Sequence, residues 1–165
     1  MPDLTPNPSR FPSPLAPLFS KGEGNRDEGE FISASAEETR RIGAQIASEL
    51  QPGDCLLLIG ELGAGKTTLV QGLAQGLGVT ETVRSPTFVL MHEYHGRVSL
   101  YHFDAYRIKN LEELREIGFE DTVRSEGVTV IEWGEKTEQL LPRGCWRIFI
   151  ELLPDQRRRI RVERP

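Results

Sequence analysis

The run Gly60-Glu61-Leu62-Gly63-Ala64-Gly65-Lys66-Thr67 constrains this chain more than any other feature in it. It is an uninterrupted match to G-x-x-x-x-G-K-[ST], a pattern that carries chemistry only between a strand and a helix. Both flanks supply that context. Cys55-Leu56-Leu57-Leu58-Ile59 is an apolar run without alternation, as a strand covered on both faces should be. Beyond the loop, Leu69, Leu73 and Leu77 recur every four residues and Gly78 supplies a helix stop. The glycines let backbone N–H groups face inward, and the helix N-terminus adds a favourable potential for phosphate. Lys66 then brings an ammonium to the β- and γ-phosphates, and the Thr67 hydroxyl is a ligand for Mg²⁺. A glycine-rich turn that merely joined two elements would give no reason for Lys and Thr at those positions. Nucleotide binding follows; turnover is a separate matter, because a P-loop can also hold a nucleotide as a conformational signal.

The rest of such a site has to come from the carboxyl ends of neighbouring strands, where ligands gather in α/β folds. Glu132 follows Val128-Thr129-Val130-Ile131, a β-branched strand candidate between Gly127 and Gly134. It stands where a Walker-B-like carboxylate would bind Mg²⁺, although a strand-end acid facing solvent has the same pattern. Asp104, in His102-Phe103-Asp104-Ala105-Tyr106-Arg107, is a candidate to hold a metal-bound water or orient the attacking one, with a plain Asp-Arg surface contact as the competing reading. Ser85-Pro86-Thr87 offers two hydroxyls in a restricted turn, either a γ-phosphate switch or a proline-stiffened connection. Trp133 reads as a packing residue or as a cover for the nucleotide or a partner contact. His92, His95 and His102 have no compact zinc spacing, and each reads as structural or surface.

Around these motifs the expected architecture is one α/β domain of P-loop type: a central, mostly parallel or mixed sheet with helices on both faces and a C-terminal antiparallel hairpin. Ser35 with Glu38 three residues on forms a capping box for a helix carrying Ile42, Ile46 and Leu50 on one face. Val98 to His102 reads as a strand, and Asn110 with Glu113 caps a short helix that Gly118 ends. Trp146, Ile148 and Ile150 alternate with Arg147, Phe149 and Glu151, and a turn at Pro154-Asp155 leads to Arg159-Ile160-Arg161-Val162, a hairpin expected at the sheet edge.

Composition sets the limits. The chain's 165 residues hold one real core and not two full-sized domains. Six of its 11 prolines fall in the first 17 residues, followed by a polar, glycine-rich stretch, so residues 1–30 read as a flexible leader and 31–165 as the domain. A net charge of −5 argues against a surface that tracks nucleic acid throughout. Yet Arg157, Arg158, Arg159, Arg161 and Arg164 stand against Glu163, a local +4 that suits a solvated strand, RNA or an acidic partner. Cys55 and Cys145 form no disulfide framework and no C-x-x-C motif, so both read as buried thiols. No apolar stretch is long enough to span a membrane, and a reduced, cytoplasmic setting is expected.

Taken in order, GELGAGKTT, SPTF, HFDAYR and IEWGEK resemble the TsaE family, also called YjeE, the P-loop ATPase component of bacterial threonylcarbamoyladenosine synthesis on tRNA. The resemblance runs from about Phe31 to Val162. It implies that Gly60, Glu61, Leu62, Gly63, Ala64, Gly65, Lys66, Thr67 and Thr68 surround ATP and Mg²⁺, with Trp133 of the EW pair at the nucleotide. It implies a nucleotide-responsive segment at Ser85, Pro86 and Thr87, and acidic site residues at Asp104 and Glu132, the latter with Thr67 on the metal. It also implies a TsaD-TsaB assembly as partner, the enzyme that transfers threonylcarbamoyl to N6 of adenosine 37 in tRNAs reading A-starting codons. Two other readings stay open beside it: a small-molecule P-loop kinase with Asp104 as substrate base, and a nucleotide-controlled interaction module.

Overall fold

In the computed structural model of the chain, the described residues are 20–21, 27–142 and 144–165. They form a mixed eight-stranded sheet: β1 (Ser20–Lys21), β2 (Asp27–Ser33), β3 (Cys55–Ile59), β4 (Met91–His95), β5 (Ser99–Asp104), β6 (Val128–Glu132), β7 (Trp146–Leu152) and β8 (Arg158–Glu163). Their order across the sheet is β1-β2-β8-β7-β3-β6-β5-β4. The inner strands β7, β3, β6 and β5 run parallel, and antiparallel pairs extend the sheet on both flanks. The helices are α1 (Ala36–Ala47), α2 (Lys66–Gly76), α3 (Glu112–Glu116) and α4 (Phe119–Val123), with a 3-10 helix at Gly134–Leu140.

The apolar run at β3 lacks alternation because both its faces are covered. Leu56 and Leu58 join the core beneath α1 and α2, with Val128, Val130, Ile148 and Ile150. Cys55 and Leu57 join the opposite core, with Phe103, Ile131, Leu114 of α3 and Phe119 of α4. Phe119 stands edge-on to Phe103, ring centroids 4.9 Å apart. The capping box at α1 forms reciprocally: Glu38 N–H donates to Ser35 Oγ at 3.1 Å, and Ala34 N–H donates to the Glu38 carboxylate at 2.6 Å. Asn110 accepts from Glu113 N–H at 3.3 Å, and Gly118 ends α3 with φ 77°.

Three features differ from expectation. The β7–β8 hairpin is not at the edge, because β2 pairs with β8 from Glu28 to Ser33 and β1 lies outside β2. Strand β2 begins at Asp27, ahead of the residue 31 boundary expected from composition, and residues 1–19 and 22–26 of the expected leader lie outside the described residues. Cys55 and Cys145, 90 positions apart in sequence, lie side by side, since Leu56 pairs with Trp146 across adjacent parallel strands. Both are free thiols; the Cys55 thiol is pushed up by its hydrogen bond with Cys145 and then by burial, and Cys145, only half-buried, is lowered by the same bond.

Helices α1 and α2 approach at main-chain distance. A Cβ on Gly72 would stand 2.1 Å from the Arg40 carbonyl oxygen, and one on Gly43 2.5 Å from that of Leu69. Neither neighbour is a flexible tip that can give way. Gly72→Ala is therefore expected to destabilise the domain by about 1–3 kcal/mol, through overpacking against backbone. Thermal unfolding checks this, and an unchanged midpoint would contradict the contact.

Candidate functional site

The phosphate loop leaves β3 at Ile59 and enters α2 at Lys66. Its backbone needs glycine twice over: Gly65 holds φ 109°, closed to other residues without strain, and a Cβ on Gly60 would stand 2.5 Å from the Ile150 carbonyl oxygen. Gly65 is also the N-cap of α2 and offers no side-chain acceptor, so the first N–H groups of this helix are not capped from within. Lys66 is 5% exposed. Its ammonium donates to the carbonyls of Gly60 at 2.6 Å and Glu61 at 2.8 Å and lies 4.2 Å from the centroid of the Trp133 ring. Burial lowers its pKa below the ordinary lysine value, against the opposing pull of Glu132, Glu135, Asp104 and Glu61.

The parallel register carries the acids to the same edge. Asp104 pairs with Glu132, and Glu132 with Leu58, so the ends of β5, β6 and β3 stand level. Thr67 Oγ donates to Glu132 Oε1 at 2.7 Å, which places two hard oxygens together in the way Mg²⁺ favours. Asp104 is 2% exposed and fully engaged: Oδ2 accepts from Thr87 at 2.7 Å and Ser85 at 3.1 Å, and Oδ1 from Tyr106 N–H at 2.9 Å. The two hydroxyls of the Ser85-Pro86-Thr87 turn therefore rest on the acid itself. A cleft of about 390 Å³ brings together the loop residues Leu62, Gly63, Gly65, Lys66, Thr67 and Thr68 with Ser85, Thr87, Asp104, Glu132 and Trp133. Gly60, Glu61 and Ala64 instead border a neighbouring groove, on the β7 side of the loop.

Trp133 adopts φ 58°, a left-handed conformation that a bulky residue takes only when its surroundings impose it. That turn sets the indole beneath Lys66 and 5.0 Å from the Tyr106 ring. Trp133 thus lines the cleft.

Three contributions were not legible as such. His102, read as structural or surface, is fully buried and donates from Nε2 to Glu132 Oε1 at 2.9 Å. The period-2 spacing of His102 and Asp104 on β5 was the available signal, since it puts both on one face. Tyr106 and Arg158 also line the cleft. Among the described residues no helix is long and apolar enough to cross a membrane.

Comparison with known proteins places this geometry among relatives. The family model described as threonylcarbamoyl adenosine biosynthesis protein TsaE matches residues 33–160. The tRNA threonylcarbamoyladenosine biosynthesis protein TsaE of Treponema pallidum is 45% identical over 131 residues, 79% of this chain and 97% of that protein. Its namesake from Bacillus subtilis is 40% identical over 132 residues, 79% of this chain and 82% of that one. The crystal structure of Bacillus subtilis YdiB superposes with a TM-score of 0.71 at 35% identity, covering 84% of this chain and 86% of that one.

Proposed function

The chain belongs to the TsaE family, and from that premise we propose that it is a Mg²⁺-dependent ATPase serving threonylcarbamoyl modification of adenosine 37 in tRNA. The observation that carries the reading is the convergence of Lys66, Thr67, Asp104 and Glu132, from three strand ends, on one cleft. The loop's N–H groups and Lys66 bind the ATP phosphates. Thr67 and Glu132 hold Mg²⁺, which when bound neutralises phosphate charge. His102 keeps the Glu132 carboxylate oriented toward Thr67. Asp104 orients the attacking water once the Ser85 and Thr87 hydroxyls are drawn from it to the nucleotide. Slow turnover in isolation follows, because Asp104 has three donors already bonded to it.

The partner in this reading is the TsaD-TsaB assembly in the cytoplasm, with tRNA met through that complex. Among the described residues, the arginines at 157, 159, 161 and 164 each face a carboxylate, Asp155, Glu30 with Glu151, Glu163 and Glu49 respectively, which makes them poor phosphate-backbone contacts.

Reconstitution tests the proposal: this chain with TsaD-TsaB, unmodified tRNA, threonylcarbamoyl-adenylate and Mg·ATP. The expected outcome is ATP hydrolysis stimulated by the assembly together with repeated transfer to tRNA. Phosphate appearing on a soluble acceptor would favour a kinase, and transfer indifferent to this chain would end the proposal.

A further inference from the structure

We propose that Cys55 and Cys145 form a reversible dithiol–disulfide site. Cys145 attacks a low-molecular-weight disulfide of the glutathione type, Cys55 resolves the mixed disulfide, and the resulting bond fastens β3 to β7. Neither cysteine lines the nucleotide cleft.

Two parallel strands bring the sulfurs together. Leu56 is the partner of Trp146, so the residues before them, Cys55 and Cys145, face each other where β3 and β7 begin. Gly144, with φ 90°, turns the chain into β7 at that level. Directly paired residues put their side chains on one face, and both cysteines pack into the same core as Leu57. Adjacent strands lie about 4.8 Å apart, inside the Cα separation of roughly 4.4–6.8 Å that a disulfide spans. The two thiols are already hydrogen-bonded to each other, so sulfur reaches sulfur without a shift of the main chain.

The pair is asymmetric in the way that attack and resolution require. Cys55 is 3% exposed, and its bond to Cys145 and then its burial push its thiol up. Cys145 is half-buried, donates to the Pro142 carbonyl at 3.3 Å, and lines a cleft of about 470 Å³ with Leu141, Pro142, Arg147 and Arg164, room for a small peptide disulfide. Glu138 and Glu163 border the same cleft, Glu138 paired with Arg147 at 2.9 Å. The Cys145 thiol is lowered by the bond from Cys55, against its partial burial, and the Arg147 guanidinium adds to the lowering. A reachable thiol with thiolate character reacts first, and a buried thiol in contact with it completes the exchange.

Cys145 loses its proton to water, and its thiolate attacks one sulfur of the reagent RSSR, forming the mixed disulfide and releasing RS⁻, which takes up a proton. The Cys55 sulfur then attacks the Cys145 sulfur, and its proton leaves with the second RSH. Two protein thiols are oxidised and one RSSR is reduced to two RSH. A reducing compartment keeps the pair open, and an excess of the oxidised reagent closes it. The bond closes a loop of about 90 residues, which restrains the unfolded chain. It lies at the opposite end of β3 from Ile59, where the phosphate loop begins, so it ties the sheet without touching the loop.

The test incubates the full chain and its Cys55→Ser and Cys145→Ser variants with oxidised glutathione, once thermal unfolding has shown each to be folded. Products are read by intact mass, peptide mapping and a second thermal unfolding. In wild type a linked Cys55–Cys145 peptide pair, a mass lower by about 2 Da and an unfolding midpoint higher by about 5–15 °C are expected, all reversed by dithiothreitol. Cys55→Ser is expected to stop at the mixed disulfide on Cys145, a gain of about 305 Da. Cys145→Ser is expected to react at least about tenfold more slowly than wild type. Wild type left as free thiols, or holding glutathione on Cys145 with no internal bond, overturns the proposal. An internal bond that leaves the midpoint unchanged overturns it too, as does a Cys145→Ser variant that takes up glutathione on Cys55 as fast as wild type closes its bond. The linked peptide and the midpoint come from the wild-type chain and decide the matter even where a serine variant fails to fold.

Discussion

Lys66→Ala is expected to abolish useful nucleotide binding, with affinity for ADP and ATP at least about 100-fold weaker and hydrolysis at background. The buried ammonium has four carboxylates in its electrostatic surroundings and two carbonyl partners within its own loop. Alanine removes the cation that offsets those acids, so phosphate would enter a cleft of net negative character. It also takes the ammonium donor from the Gly60 carbonyl, which costs about 1–3 kcal/mol where no water replaces it, while the Glu61 carbonyl keeps the Ala64 N–H. Titration with Mg·ADP reads the effect, and thermal unfolding separates it from a failure to fold. Affinity retained within threefold would remove the phosphate loop as the binding element.

Asp104→Asn is expected to separate binding from turnover: kcat lower by about 100- to 1000-fold, ADP affinity within a few-fold. Asparagine keeps the size; its carbonyl oxygen can still accept from Tyr106 N–H, and its amide nitrogen can donate to the Ser85 and Thr87 hydroxyls in place of accepting from them. It loses the anion that orients water. Hydrolysis is measured with and without the TsaD-TsaB assembly, because a partner that only speeds product release would leave the Asn variant equally slow in both. An Asn variant as fast as wild type would assign Asp104 to holding the Ser85-Thr87 turn alone.

What the sequence disclosed was what local pattern determines. The bounds of β3 and the start of β6 followed from apolar runs cut by glycine, and the start of α1 from a capping box whose Ser35 cap forms as expected, while Glu38 reaches one residue further back, to Ala34 N–H. The P-loop needed only its own eight residues and its flanks. Strand β2 escaped notice because DEGEFIS is polar: it is a strand by virtue of β8, whose Arg159 faces Glu30, a pairing about 130 residues distant. β4 escaped for a similar reason, since in Met91–His95 only Tyr94 is buried and the rest is an edge. The hairpin was misplaced at the edge by the same missing β2. The site divided along the same line. Acids at strand ends were visible as positions, but that His102 bonds Glu132, or that Thr87 bonds Asp104, depends on register between strands that no single segment encodes.

The glycine seam between α1 and α2 bears on how the molecule does work. With carbonyl oxygens where Cβ atoms would otherwise stand, neither helix can slide or roll on the other without main-chain overlap. The pair forms a rigid base, and the N-terminus of α2, the proposed phosphate site, is fixed to it. In the proposed ATPase, displacement on a change of nucleotide is therefore expected at the rim. There the Ser85-Pro86-Thr87 turn hangs on Asp104 by two hydroxyls, and Phe88 and Val89 beyond it are 83% and 59% exposed. The part expected to move in that proposal is short, carries two apolar side chains and already faces outward.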